Sequence, residues 1–411
     1  MKAGLKPRMA KLPPAAYIAP MHIHDMAVVG AGPAGLATAL AAVASGLDVI
    51  VLDAGDGTVP DDVRASFLSL PTLRFFKRLG VDVAAQPVTD ILAGEARLGE
   101  AVGAGELHFP GADVGGTLGA VAENAAIHAA LSREVLSKAA GSQDLAFRRD
   151  HRVMAVETAA DHALLLTANG AVAARVVAAC DGRDSALRRL SGIGVERHDY
   201  AQSALSFTLA HAEPHNGVAH QIFFPGGPLA LLPLSGNRSS VVWTDATAAA
   251  RAAHALDEPA LVAELRYRLG DALGELRIEG PRLLYPLQQI VAQRYHADRV
   301  ALVGDAAHVL HPLAGQGFNL SLRDAAALVE TVTEPRGRGQ DLAEGLPLYG
   351  RWRRGDVAGM ALATDALNHA YRAPLGRLRR LVTGTLDRSP LKALIVAEAA
   401  GERPNLPAMM G

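Results

Sequence analysis

Hydrophobic positions change their period along the chain, and the changes divide it into parts. Ala27 to Val29 is a short apolar run of the kind that forms a buried strand. A glycine turn and an alanine-rich helical stretch to about Ser45 follow, and Gly46 stops that helix. Leu47 to Leu52 reads as a second strand ending at Asp53, which completes a βαβ unit. Helical periodicity recurs over 64–79, interrupted by Pro71 and closed by Gly80, and again over 118–137. The period then falls to two. Segments 151–158, 162–167 and 171–179 read as a β-meander, with Asn169-Gly170 as a hairpin turn. Further strands follow over 200–243, separated by Pro225-Gly-Gly-Pro228 and Ser235-Gly-Asn237. Helix returns at 259–269. A strand over 299–303 leads into a loop rich in glycine and proline, then a helix from about 317 to 332. Residues 334–345 form a charged, glycine-rich linker, and from Pro347 the chain is mostly helical until Pro404.

The stretch from Met26 to Leu47 carries no charge and is long enough to span a bilayer. Gly30, Gly32, Pro33 and Gly35 near its start favour the strand–turn–helix reading instead. Residues 1–22 carry Lys2, Lys6, Arg8 and Lys11 with Pro7, Pro13, Pro14 and Pro20, and read as a disordered tail. Those prolines break the apolar segment that a signal peptide requires.

The 411 residues are enough for two or three packed units, and half of them are hydrophobic. Forty basic and 42 acidic residues give a net charge of −2, which argues against nucleic acid as a partner. Cys180 is the single cysteine, so an intramolecular disulfide or a cysteine-rich metal site is excluded and a cytoplasmic setting fits. His22 and His24 alternate as strand residues. Without a third ligand they read as exposed histidines, and no metal site is expected.

The sharpest motif is Gly30-Ala-Gly32-Pro33-Ala34-Gly35, between strand and helix, with Asp53 at the end of the next strand. The first glycine allows the tight turn, the second lets backbone approach a pyrophosphate, and the third lets the helix pack on the strand. The helix N-terminus offers N–H groups to phosphate, and the acid can accept ribose hydroxyls. Two further strands end in an acid beside glycine: 176–180 in Asp181-Gly182, and 300–303 in Gly304-Asp305. The second continues through Ala-Ala-His308 to His311-Pro312-Leu-Ala-Gly315-Gln316-Gly317-Phe318-Asn319. Taken singly, such ends are commonly turns. No second complete GxGxxG occurs, which fits a nicotinamide that visits rather than one with its own domain. No GxSxG elbow is present, so acyl hydrolysis lacks support.

In this order the three elements resemble the class A FAD-dependent aromatic hydroxylases, and more closely the ubiquinone-biosynthesis ring hydroxylases among them. The block from Gly304 to Asp324 carries most of the likeness. Gly227 to Ser235, Ser240-Val-Val-Trp243, Tyr285-Pro-Leu287, Tyr349-Gly-Arg-Trp-Arg-Arg354 and Thr364-Asp365 add to it. The resemblance spans nearly all of the chain after residue 24. It implies an α/β fold: a Rossmann-like FAD-binding domain of the para-hydroxybenzoate hydroxylase type, a β-sheet substrate domain and C-terminal helices. The expected boundaries are 23–195 and 296–345 for the discontinuous FAD domain, 196–295 for the substrate domain and 346–411 for the helical region.

By that resemblance Asp305 contacts the ribityl or phosphate part of FAD, and Gly315 to Asn319 bring backbone N–H groups to the flavin. A helix N-terminus there stabilises negative charge on the reduced ring. Arg64 matches an arginine that the family places near the cofactor; a solvated helix-start arginine is the plain alternative. The family often carries an arginine soon after a Glu-Asn pair, whereas Glu123-Asn124 here is followed by Ala125, Ala126, Ile127 and His128. The implied reaction uses NAD(P)H as transient reductant and O2 to hydroxylate an aromatic ring, a polyprenylated phenol of ubiquinone biosynthesis. Phe223, Leu231 and Pro233 are candidate pocket walls. His311 and Pro312 are candidates for catalysis at the flavin loop, with a structural role for His308 and His311 equally open. A dehydrogenase or reductase on the same fold, or a flavin-binding scaffold for a biosynthetic complex, are the alternatives. A prenylated substrate lives in the membrane, so peripheral attachment at its inner face or membership of a complex is expected. The run from Leu375 to Ala399 reads either as an amphipathic surface helix or as a domain-closing helix.

Overall fold

The computed structural model describes residues 22–58, 62–95, 107–311, 315–372, 400–403 and 405–411. The expected tail therefore enters only at His22, and the run from Leu375 to Ala399 lies outside the described residues.

The βαβ unit forms as β1 (Ile23–Val29), α1 (Pro33–Ala44) and β2 (Val49–Leu52). The strands pair in parallel, with Met26 opposite Val49 and Val29 opposite Leu52. All four residues of β2 are buried, as expected of a strand covered on both faces. Next come β3 (Ala65–Ser69), α2 (Leu70–Leu79), β4 (Gln86–Val88), β5 (Asp90–Glu95), β6 (Leu107–Pro110), β7 (Gly119–Glu123) and α3 (Asn124–Gly141). The expected helices at 64–79 and 118–137 thus each begin with a five-residue strand. Ala65–Ser69 and Gly119–Glu123 are short apolar runs that pair antiparallel with one another. Periodicity cannot tell such runs from helix starts. Pro71 sits in the first turn of α2, where its missing N–H costs nothing, so it begins the helix rather than interrupting it.

β8 (Leu145–Arg148), β9 (Val153–Thr158), β10 (Ala163–Thr167) and β11 (Gly170–Ala179) follow, and β9 to β11 are the expected meander, turning at Gly170 with φ +123°. After α4 (Ala186–Leu190) come β12 (Val195–His211), β13 (Val218–Phe224), β14 (Gly227–Leu234), β15 (Arg238–Ala246), α5 (Thr247–Ala255), α6 (Glu258–Leu269) and β16 (Leu276–Ala292). The chain closes with β17 (His296–Ala297), β18 (Val300–Leu302), β19 (His308–Val309), α7 (Gln316–Gly337) and α8 (Leu346–Arg372). α7 runs on through the first residues of the expected linker and carries Pro335 near its end.

One sheet has the order β17-β18-β11-β1-β2-β8, parallel from β18 to β8. The chain reversals around β1 place Gly30, Asp181 and Gly304 at the C-terminal ends of neighbouring strands. That is where open α/β sheets bind ligands. The second sheet has the order β19-β16-β12-β15-β14-β13-β5-β6. It takes β5, β6 and β19 from outside 196–295, so the sheet does not keep to the expected boundaries of the substrate domain. Strands β3, β7 and β4 form a third, small sheet between them. The outer face of the second sheet is filled by Phe207, Leu231 and Trp243 against Leu261 and Leu265 of α6. Its inner face brings Leu232 and Leu234 onto Phe67 and Val121 of the small sheet.

Candidate functional site

The glycines of the first turn divide the labour expected of them. Gly30 has φ +107°, and a Cβ there would lie 2.4 Å from the carbonyl oxygen of Cys180. A Cβ on Gly35 would lie 1.9 Å from the carbonyl oxygen of Gly30. Both are required by packing. Around Gly32, by contrast, a Cβ would meet nothing within 4 Å. Gly32 caps α1 without a side-chain acceptor, and Pro33 takes the first helical position, so the positive end of α1 opens onto free space with Ala34 beside it. Asp53 accepts from Ala31 N at 3.1 Å and from Gly55 N at 3.3 Å. A carboxylate has about four acceptor sites, so capacity is left for ribose hydroxyls. His128 Nε2 donates to Ala31 O at 3.0 Å. The histidine on α3 therefore holds the glycine turn, on the helix where this chain lacks the arginine that the resembled family often carries.

Gly304 and Asp305 follow β18. Gly304 has φ +62°, and a Cβ there would press on Ala34 and Ser321 at 3.2 Å, so this loop lies directly against the first turn. Its N–H donates to Asp324 Oδ2 at 2.9 Å. Asp324 also accepts from His308 Nε2 at 2.6 Å and from Arg353 Nε at 2.5 Å, and all three side chains are buried. Burial pushes the Asp324 carboxyl up, but the His308 and Arg353 charges outweigh it and hold it below the usual carboxylate value. Asp305, directly after Gly304, is exposed. Protein walls surround it, and burial raises its carboxyl above the ordinary range, opposed by the charges of His308, Arg183 and Arg64.

Gly315 has φ +61° and caps α7, with a would-be Cβ 3.4 Å from that of Phe67. Gly317 is exposed and unobstructed, Phe318 packs on the main core, and Gln316 is buried. Asn319 is fully committed elsewhere. Its Oδ1 accepts from Ser69 N at 3.0 Å and Thr72 Oγ1 at 2.8 Å, and its Nδ2 donates to Phe67 O at 2.8 Å and Gln316 Oε1 at 3.3 Å. It fixes the N-terminus of α7 to β3 instead of offering its amide to a ligand.

Other expected site residues divide similarly. Asp181 accepts from Ser185 Oγ at 2.5 Å and Leu187 N at 3.0 Å, so it shapes the turn into α4, while Gly182 at φ +81° leaves open space. Arg64 precedes a strand rather than starting a helix, and its side chain remains exposed. It grips Asp62 with Nε and Nη2 at 2.7 Å each, lies 5.8 Å from the centre of the Tyr285 ring and faces Asp305 electrostatically. Asn124 Nδ2 holds Asp62 at 3.1 Å and its Oδ1 accepts from Ser66. Phe223 alternates with Ile222 and Phe224 of the outer core, so it faces the cleft side. Leu231 belongs to that outer core and is corrected from pocket wall to core beneath α6, and Pro233, buried and two residues on, shares its face of the strand rather than that of Phe223. His311 is buried with its ring 4.8 Å from Tyr200, edge to face, which ties the loop to β12 of the second sheet. Pro312 lies outside the described residues.

Sequence reasoning missed Asp62, His128, Asp324 and Arg353 as supports of the cleft. It also missed Asp48, which comes to His22 and His24 as a third metal-ligating side chain. Asp324 and Arg353 lie in blocks that carry the resemblance, but only proximity in the fold reveals what any of these residues does. Among the described residues no helix is long and apolar enough to cross a membrane.

An FAD binding domain family matches residues 24–359. The chain is 35% identical to ubiquinone hydroxylase UbiL of Rhodospirillum rubrum over 92% of its own length and 90% of that protein. It is 30% identical to 3-demethoxyubiquinol 3-hydroxylase of Escherichia coli, covering 90% and 97% of the two chains. The solved p-nitrophenol 4-monooxygenase PnpA of Pseudomonas putida superposes with a TM-score of 0.75 at 20% identity, covering 92% and 97%.

Proposed function

The chain belongs to the FAD-binding aromatic hydroxylase family, and on that premise we propose that it hydroxylates the ring of a polyprenylated phenol in ubiquinone biosynthesis. The observation that carries the reading is the agreement of two independent features. The strand ends at Gly30, Asp53 and Gly304–Asp305 lie at one edge of the parallel sheet with Gly304 against Ala34 and Gly315 against Phe67, and relatives that match almost end to end are a ubiquinone hydroxylase and a 3-demethoxyubiquinol 3-hydroxylase.

The residues fit FAD. The open space over Gly32 and the uncapped start of α1 suit the pyrophosphate, and Asp53 has spare acceptor capacity for the adenosine ribose. Asp305, exposed, suits ribityl hydroxyls, and the exposed N-terminus of α7 at Gly317 suits a ring edge that gains negative charge on reduction. FAD supplies two-electron chemistry with NAD(P)H and the activation of O2. In balance, one phenol, one O2, one NAD(P)H and one proton give the hydroxylated ring, NAD(P)+ and water. The chain binds and orients the aromatic ring between the cofactor cleft and the inner face of the second sheet, where Phe223, Leu232 and Tyr285 stand. Apolar packing on that face keeps water from the reacting ring. Prenylation of the substrate calls for contact with a membrane surface or a partner that delivers the lipid.

The test is incubation of the FAD-loaded protein with NAD(P)H, a short-chain prenylphenol and isotopically labelled O2. One labelled oxygen in the ring is expected. NAD(P)H oxidation that yields only peroxide across a panel of prenylphenols would overturn the substrate class, and absence of flavin reduction would overturn the monooxygenase reading.

A further inference from the structure

The end of the central sheet away from the cofactor turn gathers a second set of chemically competent side chains. His22 directly precedes β1 and His24 lies within it; two residues apart on extended backbone, they project to the same side. Asp48 directly precedes β2, and its carbonyl accepts from Met26 N at 3.0 Å, which locks the two strand starts in register. His22 Nε2 lies 2.5 Å from Asp48 Oδ2, and His24 Nδ1 lies 3.0 Å from Asp48 Oδ1. The two rings meet edge to face with centroids 4.5 Å apart. One ligand atom from each of the three residues lies within 4.8 Å of the others.

We propose that His22, His24 and Asp48 bind a divalent transition-metal ion of the zinc type, clipping β1 to β2. Two imidazole nitrogens and one carboxylate are the donor set of Zn2+, Co2+, Ni2+ and Cu2+, and poor for Mg2+ or Ca2+, which require oxygen. Both nitrogens already point at the carboxylate. An ion replacing the shared protons, at roughly 2.0–2.2 Å from each donor, needs only small ring and carboxylate rotations. The backbone that carries the carboxylate is fastened: Asp48 N donates to Asp25 Oδ2 at 3.2 Å, and Asp25 is balanced by Arg336 at 3.3 Å and Arg175 at 3.6 Å. Such outer contacts orient metal ligands. Asp48 thus presents its carboxylate charge to the ion with Asp25 already neutralised. His22 is exposed while His24 and Asp48 are half-buried, so the ion is reached from solvent and completes its shell with water. His24 precedes Gly30 by roughly 20 Å of strand at about 3.3 Å per residue, so the site is distinct from the flavin cleft.

The experiment uses the full-length, tag-free, FAD-loaded protein stripped with a chelator. It is titrated with Zn2+ by calorimetry and with Co2+ by visible absorption. The wild type is expected to take up one saturable equivalent, with the visible bands of nitrogen-ligated Co2+ and a rise in Tm on Zn2+ addition. His22→Ala and Asp48→Asn are expected to weaken uptake about tenfold or more and to abolish the rise in Tm, with the flavin spectrum unchanged. His22 is exposed enough that its replacement leaves the fold intact, so that variant decides if Asp48→Asn does not fold. No uptake by the wild type, or uptake unchanged in His22→Ala, overturns the site.

Discussion

Arg353 Nε donates to Asp324 Oδ1 at 2.5 Å, and neither side chain touches solvent. The pair joins α8 to α7, and the other oxygen of the same carboxylate holds Gly304 N and His308. A buried charge that loses its partner costs about 3–5 kcal/mol. Arg353→Met should therefore destabilise the protein by that order in urea unfolding, because it strands Asp324. Asp324→Asn should also weaken FAD binding, since it loosens the loop that presents Asp305. Wild-type stability in Arg353→Met would refute this account of the loop.

The same pair sets an acid limit. The Asp324 carboxyl titrates below its unfolded value, about 3.9, because His308 and Arg353 outweigh the burial that raises it. A depressed folded pKa contributes stability that is complete above the unfolded value and is lost as the pH falls through the folded one. The stability gap between wild type and Asp324→Asn should be constant near neutrality and shrink below about pH 4. A gap that widens on acidification would contradict the assignment.

Gly32 and Gly35 test the two uses of glycine in one turn. Gly35→Ala forces a methyl against the carbonyl oxygen of Gly30, so the apoprotein itself should lose stability or fail to fold. Gly32→Val places its side chain in open space and should fold normally. It should bind FAD about tenfold more weakly or worse, about 1.4 kcal/mol, by occupying the approach to the pyrophosphate. Flavin fluorescence titration of both apoproteins checks this; equal FAD affinity in Gly32→Val and wild type would remove the pyrophosphate from that position.

The sequence motifs located the cleft because glycine spacing and strand-end acids are local signals. What each residue does there depended on neighbours distant in the chain. Asn319 belongs to the recognised block, yet its amide is used up on Phe67, Ser69 and Thr72, some 250 residues away in sequence. Asp181 looks like Asp53 as a strand-end acid, but a serine four residues on claims its carboxylate. β3 and β7 blend into the helical periodicity that follows them, because each is a short apolar run whose pairing partner lies far along the chain. The substrate face was legible only in alternation: once β13 and β14 are in register, parity separates Phe223 from Leu231.

Asn319→Ala removes four hydrogen bonds: two from α7 to β3, one to Thr72 of α2 and one to Gln316 within α7. At about 1 kcal/mol each, less what water regains, the loss should be about 2–4 kcal/mol in urea unfolding. Because the amide serves the fold and leaves Gly317 free, Asn319→Asp should restore only the contacts made through Oδ1. A variant with native stability and selectively lost FAD affinity would return Asn319 to the ligand shell.

Phe223 and Leu231 separate pocket from core on the same sheet. Leu231 is nearly fully buried beneath α6, and truncation to alanine should cost about 2–5 kcal/mol through lost burial and cavity formation. Leu231→Ala that remains folded should keep its KM for the phenol, because its side chain points away from the cleft. Phe223 points toward the cleft side, so Phe223→Ala should raise KM for an aromatic substrate by about tenfold, the weight of one lost ring contact of 1–1.5 kcal/mol. NAD(P)H oxidation that escapes to peroxide should rise in the same variant, since a loosely held ring no longer excludes water. Steady-state kinetics with peroxide detection, run beside thermal melts, reads both effects. An increased KM in folded Leu231→Ala with none in Phe223→Ala would place the aromatic ring on the other face of the sheet.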